Sequence, residues 1–304
     1  MVTSLLAGKV WLPVSAWFTD DPRALIITQL RLPRTLLAAI VGAGLGMAGA
    51  AMQGYLRNPL ADPGLFGVSA AAALGAVVSL YFGFTQPWLL PSFALIGAAA
   101  AMALLALLVG RSGSIIVFTL AGVIIASLAG SLTALAISLA PTPFATTQII
   151  TWLMGALTDR SWNDVWLALP LTALGLAILA TTGPALDALT LGEPAARSMG
   201  VDPQALQRRI IIGVALCVGA GVAAAGVIGF VGLIVPHLVR PLAGHRPSAV
   251  LWPSAIGGAL LVVLADSLVR VAPTVSELRL GIAMSLLGGP FFLVLLQRLK
   301  RTLP

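Results

Sequence analysis

Few residues in this 304-residue sequence could do covalent or redox chemistry. Cys217 stands alone inside an apolar run, so it can form no intrachain disulfide and reads as a small core residue. His237 and His245 share no ligand spacing with each other or with the cysteine, and no metal site is expected. Nucleotide hydrolysis needs a glycine-rich loop ending in Lys-Ser or Lys-Thr, and Gly8-Lys9-Val10 lacks both the upstream glycine and the hydroxyl. A membrane-embedded enzyme would gather polar groups at one depth, and Cys217, His237 and Asp266 do not make such a set. Ion-coupled transport is the competing class, and it needs acids or histidines within the membrane. Asp266 is the acid inside an apolar run, but it lies near a boundary, with Arg270 four residues on as an i,i+4 partner.

The remaining polar residues suit recognition rather than catalysis. They fall into three groups: Arg31, Arg34 and Arg270; Asn58-Pro59-Leu60; and a polar interlude from 181 to 209 with Asp187, Glu193, Arg197, Asp202, Arg208 and Arg209.

The elements that position these groups are membrane helices. Only 9% of the residues are charged, against roughly 25% in a soluble domain. Mean hydropathy is +1.04. Uncharged runs cover 35–56, 63–110, 112–158, 210–239 and 280–296, and two further apolar runs, 162–182 and 251–268, hold one acid each. Gly, Pro, Gln and Trp around Phe82 to Ser92 split the second run into two helices. Pro141-Thr142-Pro143 splits the third into a long helix and a short one, Thr146 to Leu157. Gly226, Gly229, Gly232 and Pro236 break the 210–239 run into a full span and a shorter returning helix. About nine crossings follow from the length rule. The glycines inside these runs read as helix-packing positions.

The interlude carries helix punctuation: Pro184 and Pro194 for first turns, Gly200 for a stop, Asp202-Pro203 for a cap and first position. Two short helices outside the membrane are expected there. Arg298, Lys300 and Arg301 favour a cytoplasmic C-terminus. Counting back puts His245-Arg246, the interlude, Arg111 and Arg57-Asn58 on that same side, and Arg31, Arg34 and Arg270 outside. The net charge of +7 comes from arginines placed singly at the ends of apolar runs, so a nucleic-acid partner is not expected.

An ordered set of segments resembles the FecCD-type permeases of type II ABC importers. It runs from Arg31-Leu32-Pro33-Arg34 through Gly42, Gly46, Gly49 and Met52-Gln53 to Arg57-Asn58-Pro59-Leu60-Ala61-Asp62-Pro63-Gly64 and Gly67-Val68-Ser69. Trp152-Leu153-Met154-Gly155 and Leu191-Gly192-Glu193 with Ala196 and Met199-Gly200 follow. Gly229 to His237, Ala265-Asp266 with Arg270, Glu277, Gly281 and Gly289-Pro290-Phe291-Phe292 close it. The resemblance covers the chain from residue 31. Residues 1–34 resemble a shortened start, with Lys9, Asp20 and Asp21 where the family has a full span, and Arg279 stands where relatives often have proline.

The resemblance implies an all-α polytopic bundle of about nine to ten spans per subunit, forming a single domain and a homodimeric pore in a bacterial inner membrane. Its partners would be membrane lipid, two ATP-binding-cassette ATPases that use ATP and Mg, and a periplasmic substrate-binding protein; the chain itself would bind no cofactor. Leu191, Gly192, Glu193, Ala196, Arg197, Met199, Gly200 and Asp202 would couple to the ATPase, with Glu193, Arg197 and Asp202 as polar handles. Arg31, Arg34 and Arg270 would dock the binding protein, and Asn58, Pro59 and Leu60 would form the cytoplasmic gate. The cargo would be a metal chelate, with haem favoured over a siderophore or cobalamin.

Overall fold

Glycine, proline and capping side chains decide where each apolar run stops being helix. The computed structural model describes residues 4–5, 22–84, 86–110, 115–273 and 277–302, and every regular element among them is helical. Lys9, Asp20, Asp21 and Arg111 lie outside the described residues, and so does the expected shortening of the first helix.

One turn of helix, Pro22–Leu25, and a π-helical stretch, Ile26–Arg31, lead into α1 (Leu32–Leu56). A 3-10 turn (Pro63–Phe66) precedes α2 (Val68–Tyr81), and α3 (Leu89–Val109) and α4 (Ile115–Ser138) follow. Then come α5 (Pro143–Leu153), α6 (Trp162–Ala180), the short pair α7 (Gly183–Leu189) and α8 (Glu193–Ser198), and α9 (Pro203–Ala225). The chain ends with α10 (Val231–Val239), α11 (Pro247–Val271) and α12 (Leu280–Thr302).

Six of these are long and apolar enough to cross a bilayer: Ile26–Leu56 taken together, α3, α4, α6, α9 and α11. The apolar helices Val68–Tyr81 and Leu280–Leu295 are shorter. The returning piece of the 210–239 run is α10, nine residues long, which at 1.5 Å per residue reaches about half-way through the hydrocarbon. It starts after Gly226 (φ +73) and Phe230 (φ +67) turn the chain back. That irregular stretch is packed inside protein: Ala156 N donates to Ala225 O at 2.8 Å, and Gly281 N donates to Gly155 O at 3.2 Å. Backbone without helical bonds survives at membrane depth only when sheltered in this way.

The short helix expected at 146–157 is shifted. It starts at Pro143, whose missing N–H suits a first turn, with Thr142 Oγ1 accepting from Ala145 N at 3.1 Å. It stops before Gly155, whose φ of +63 leaves the helix.

Burial separates centre from periphery. In α1 78% of the apolar window is buried and in α9 72%, against 28% in α4 and α6. Leu107, Ile116, Leu120 and Ile124 are exposed, as lipid-facing side chains must be. The centre is held by glycine contacts. A Cβ on Gly42 would sit 2.2 Å from Gly258 O, on Gly46 2.1 Å from Ser254 O, and on Gly49 2.1 Å from Gly232 O. So α1 meets α11 and α10 backbone to backbone. Cys217 is fully buried at the α6–α9 seam, where its thiol lies 3.8 Å from Thr172 O.

Gly46→Ala should therefore cost about 1–3 kcal/mol, the usual cost of overpacking. Gly130→Ala, at a position with open space around it, should cost almost nothing. Thermal midpoints of the purified protein in detergent check the difference.

Candidate functional site

The polar residues gather at opposite ends of α1. At its C-terminal end the helix closes on Arg57, in the left-handed region (φ +50), with Asn58 N donating to Gln53 O at 3.1 Å. Asn58 Oδ1 then accepts from Leu60 N at 2.9 Å, so Asn58-Pro59-Leu60 forms a side-chain-braced turn. Asn58 and Pro59 line a cleft of about 310 Å³ with Gln53, Arg240, Thr190 and His245. Arg240 Nη2 donates to Gln53 Oε1 at 2.7 Å, and Gln53 Nε2 donates to Gly232 O at 3.2 Å.

The polar interlude packs beside this turn. Asp187 on α7 accepts from Ser248 N at 2.9 Å and Ser248 Oγ at 2.5 Å, fixing α7 to the start of α11. A second cleft, about 610 Å³, lies between the two and includes Leu191, Met199, His245 and Arg246. The expected grouping of 57–58, 181–209 and 245–246 at one end is thus present.

Within the interlude the residues divide by role. Glu193 and Arg197 bond each other at 2.9 Å along α8, and Asp202 Oδ1 accepts from Gln204 N at 2.8 Å as the cap of α9. Ala196 is fully buried and offers no surface. Gly192 (φ +98) and Gly200 (φ +85) make the turns on either side of α8. Leu191, 67% exposed, and Met199, 62% exposed, face outward together with Arg197, Asp202, Arg208 and Arg209. The charged residues singled out from sequence make local bonds and still lie at the surface beside the apolar pair.

At the opposite end Asp266 sits between two arginines. Arg34 Nε and Nη2 donate to Asp266 Oδ1 at 3.0 and 2.8 Å. Arg270 Nε lies 3.1 Å from Asp266 Oδ2, and Arg270 Nη2 donates to Ser4 Oγ at 2.5 Å. The i,i+4 pair is real, but the closer tie is to Arg34 on the other helix. Arg34 and Arg270 are buried, 9% and 4% exposed, and Arg31 Nη1 donates to Leu5 O at 2.9 Å. All three arginines expected to face a docking partner are engaged within the chain. A lone carboxylate in a membrane core is costly, so it draws both cations inward.

Glu277 extends the cluster, with Oε2 2.9 Å from Arg34 Nη2 and accepting from Thr158 Oγ1 at 3.0 Å. Burial pushes the Glu277 carboxyl up, but Arg34 and the Thr158 hydroxyl outweigh it and hold the group below the ordinary carboxylate value. Its stabilising contribution is present above about pH 4.3, the unfolded value, and is lost as pH falls through the lowered one. Sequence reasoning placed Glu277, Gln53 and Asp187 without partners; each partner lies far along the chain, out of reach of any spacing rule.

Asp266→Asn should destabilise the fold by about 3–5 kcal/mol, because it takes the carboxylate from buried Arg270 and leaves Arg34 with Glu277 alone. Glu277→Gln, at the half-open rim, should cost about 1 kcal/mol. Denaturant titration of the reconstituted protein checks the ranking.

The chain is similar to known proteins along nearly its whole length. The FecCD transport family profile matches residues 1–298, including the stretch ahead of Arg31. The uncharacterized ABC transporter permease protein YvrB of Bacillus subtilis is 39% identical over 322 residues, 99% of this chain and 91% of its own. The vitamin B12 import system permease protein BtuC of Vibrio cholerae is 39% identical over 302 residues, 98% of this chain and 90% of its own. A solved structure described as an inward-facing ABC transporter of metal-chelate type superposes with a TM-score of 0.90 at 32% identity, covering 98% of this chain and 94% of the other. The chain belongs to the FecCD transport family and is a non-catalytic, multi-pass permease subunit of a type II ABC importer.

Proposed function

We propose that two copies of this chain form a pore in a bacterial inner membrane, with about nine to ten helices each, that passes a metal chelate from periplasm to cytoplasm. Two separate ATPases, using ATP and Mg, drive it, and a periplasmic binding protein delivers the cargo. The observation that carries this reading is the pair Leu191 and Met199, exposed in the turns that flank α8, beside the 57–60 turn. Large apolar side chains outside the membrane call for a partner surface, and these flank the one rigid polar element at that end. A short helix pair seated in an ATPase cleft moves as a body. The tie from Asp187 to Ser248 then carries that motion into α11, beside the turn assigned as the gate.

The binding protein meets the arginine end. Since Arg34 and Arg270 are spent on Asp266, their part is to hold the rim in shape. Arg31, half-buried at the edge, is the docking contact we assign.

For the cargo we put a corrinoid first, because the relatives whose names state a cargo are vitamin B12 importers. Haem, favoured by the sequence resemblance, stands second, since the structural relative is described only as metal-chelate type. The absorbance spectrum of the ligand that co-purifies with the cognate binding protein separates the two.

Leu191→Asp with Met199→Asp should weaken ATPase capture by roughly 2 kcal/mol or more, as expected for central apolar anchors. ATP-driven uptake into proteoliposomes should fall in proportion. Undiminished capture and uptake would remove the contact from this place.

A further inference from the structure

A cleft of about 290 Å³ lies at the arginine end, between α5, the 154–160 segment and the start of α12. Its lining includes Gln148, Thr151, Trp152, Arg160 and Arg279, and no acid among the described residues. Two of these side chains carry buried N–H groups without a hydrogen-bond partner among the described residues, Trp152 Nε1 and Arg160 Nε. Each such group is destabilising if nothing accepts from it. Asp164 is the acid in range of Arg160, at 3.7 Å, too far for a hydrogen bond, and its Oδ2 already accepts from Ser161 N at 2.8 Å. Burial pushes Arg160 below the ordinary guanidinium value; Asp164 and Asp159 pull it back, and the like charge of Arg279 adds to the lowering. Thr158, the other polar residue of the wall near Arg160, turns its hydroxyl to Glu277.

We propose that this cleft is a subsite for an oxyanion of the cargo, a carboxylate or phosphate on the rim of the chelate, held by Arg160, Arg279 and the Trp152 indole N–H. Two cations share one small recess, and two buried N–H groups of its lining residues lack an acceptor among the described residues. The physical need is plain: a chelate with peripheral acids must shed water before entering an apolar pore, and a cationic recess offsets that loss. The word cargo rests on the importer reading; the anion subsite does not.

The test uses the full-length permease in lipid nanodiscs, carrying Thr151→Cys. Cys217 is fully buried, so the new thiol is the one that reports. A methanethiosulfonate bearing a sulfonate should modify it about tenfold faster than one bearing trimethylammonium, as a local positive potential requires. Adding Arg160→Gln and Arg279→Gln should bring the ratio close to one. Should that variant fail to fold, Arg279→Gln alone must cut the ratio by about threefold. Haem, or cobalamin through its phosphodiester, should protect the thiol, and haem dimethyl ester should not. Equal rates in the parent, or a preference that survives loss of the arginines, overturn the proposal. Protection by inorganic phosphate or benzoate without protection by any chelate assigns a free ion and overturns the cargo part. Protection by binding protein alone assigns a docking acid and overturns it too. If the anion preference and haem protection hold but no assembled complex imports a chelate under ATP, the importer reading fails and the subsite stands.

Discussion

The backbone contact between α1 and α11 is the constraint on which the rest of the fold depends. In a bilayer, apolar side chains gain little by leaving lipid for protein, so helices associate through close van der Waals packing and polar ties. Gly42 and Gly46 remove every side-chain atom between α1 and the carbonyls of Gly258 and Ser254. That approach brings Arg34 and Asp266, 232 residues apart in sequence, within 2.8 Å. The glycine seam and the ion pair are therefore one device: the seam sets the distance at which a buried carboxylate can be neutralised. At the other end Gly49 lets α10 reach α1, which places Gly232 O within range of Gln53.

Local punctuation was legible in the sequence because it is local chemistry. Asp202-Pro203, Pro184, Pro194 and Gly200 each do in the structure what their positions suggest, since a cap or a left-handed stop needs only its neighbours. Pro143 was harder, because proline both ends and begins helices, and the capping bond from Thr142 decides between them. Asp266 shows where spacing stops informing. Arg270 at i+4 is a true partner, but nothing in the order of residues announces Arg34. The interlude shows a different limit. Charges draw the eye in an apolar sequence, and Glu193, Arg197 and Asp202 do lie at the surface with local partners, but nothing in the spacing shows that Leu191 and Met199 stand exposed beside them.

The contrast between rigid and interrupted elements indicates where movement must fall. Ile26–Leu56 runs without a break, clamped to α11 at one end by Asp266 and tied to Arg240 beyond α10 at the other by Gln53. Separating α1 from α11 would strand a buried charge at about 3–5 kcal/mol and open a seam with no side chains to refill it. A force applied near the 57–60 turn therefore costs less if the pair moves as a unit. The pieces left to take up such a shift are the interrupted ones, α5, the 226–230 turn and the start of α12, where Gly155, Gly226 and Gly281 bring backbones together without side chains to interlock. α5 and the start of α12 also border the recess at Arg160 and Arg279, so a ligand held there would press on that junction.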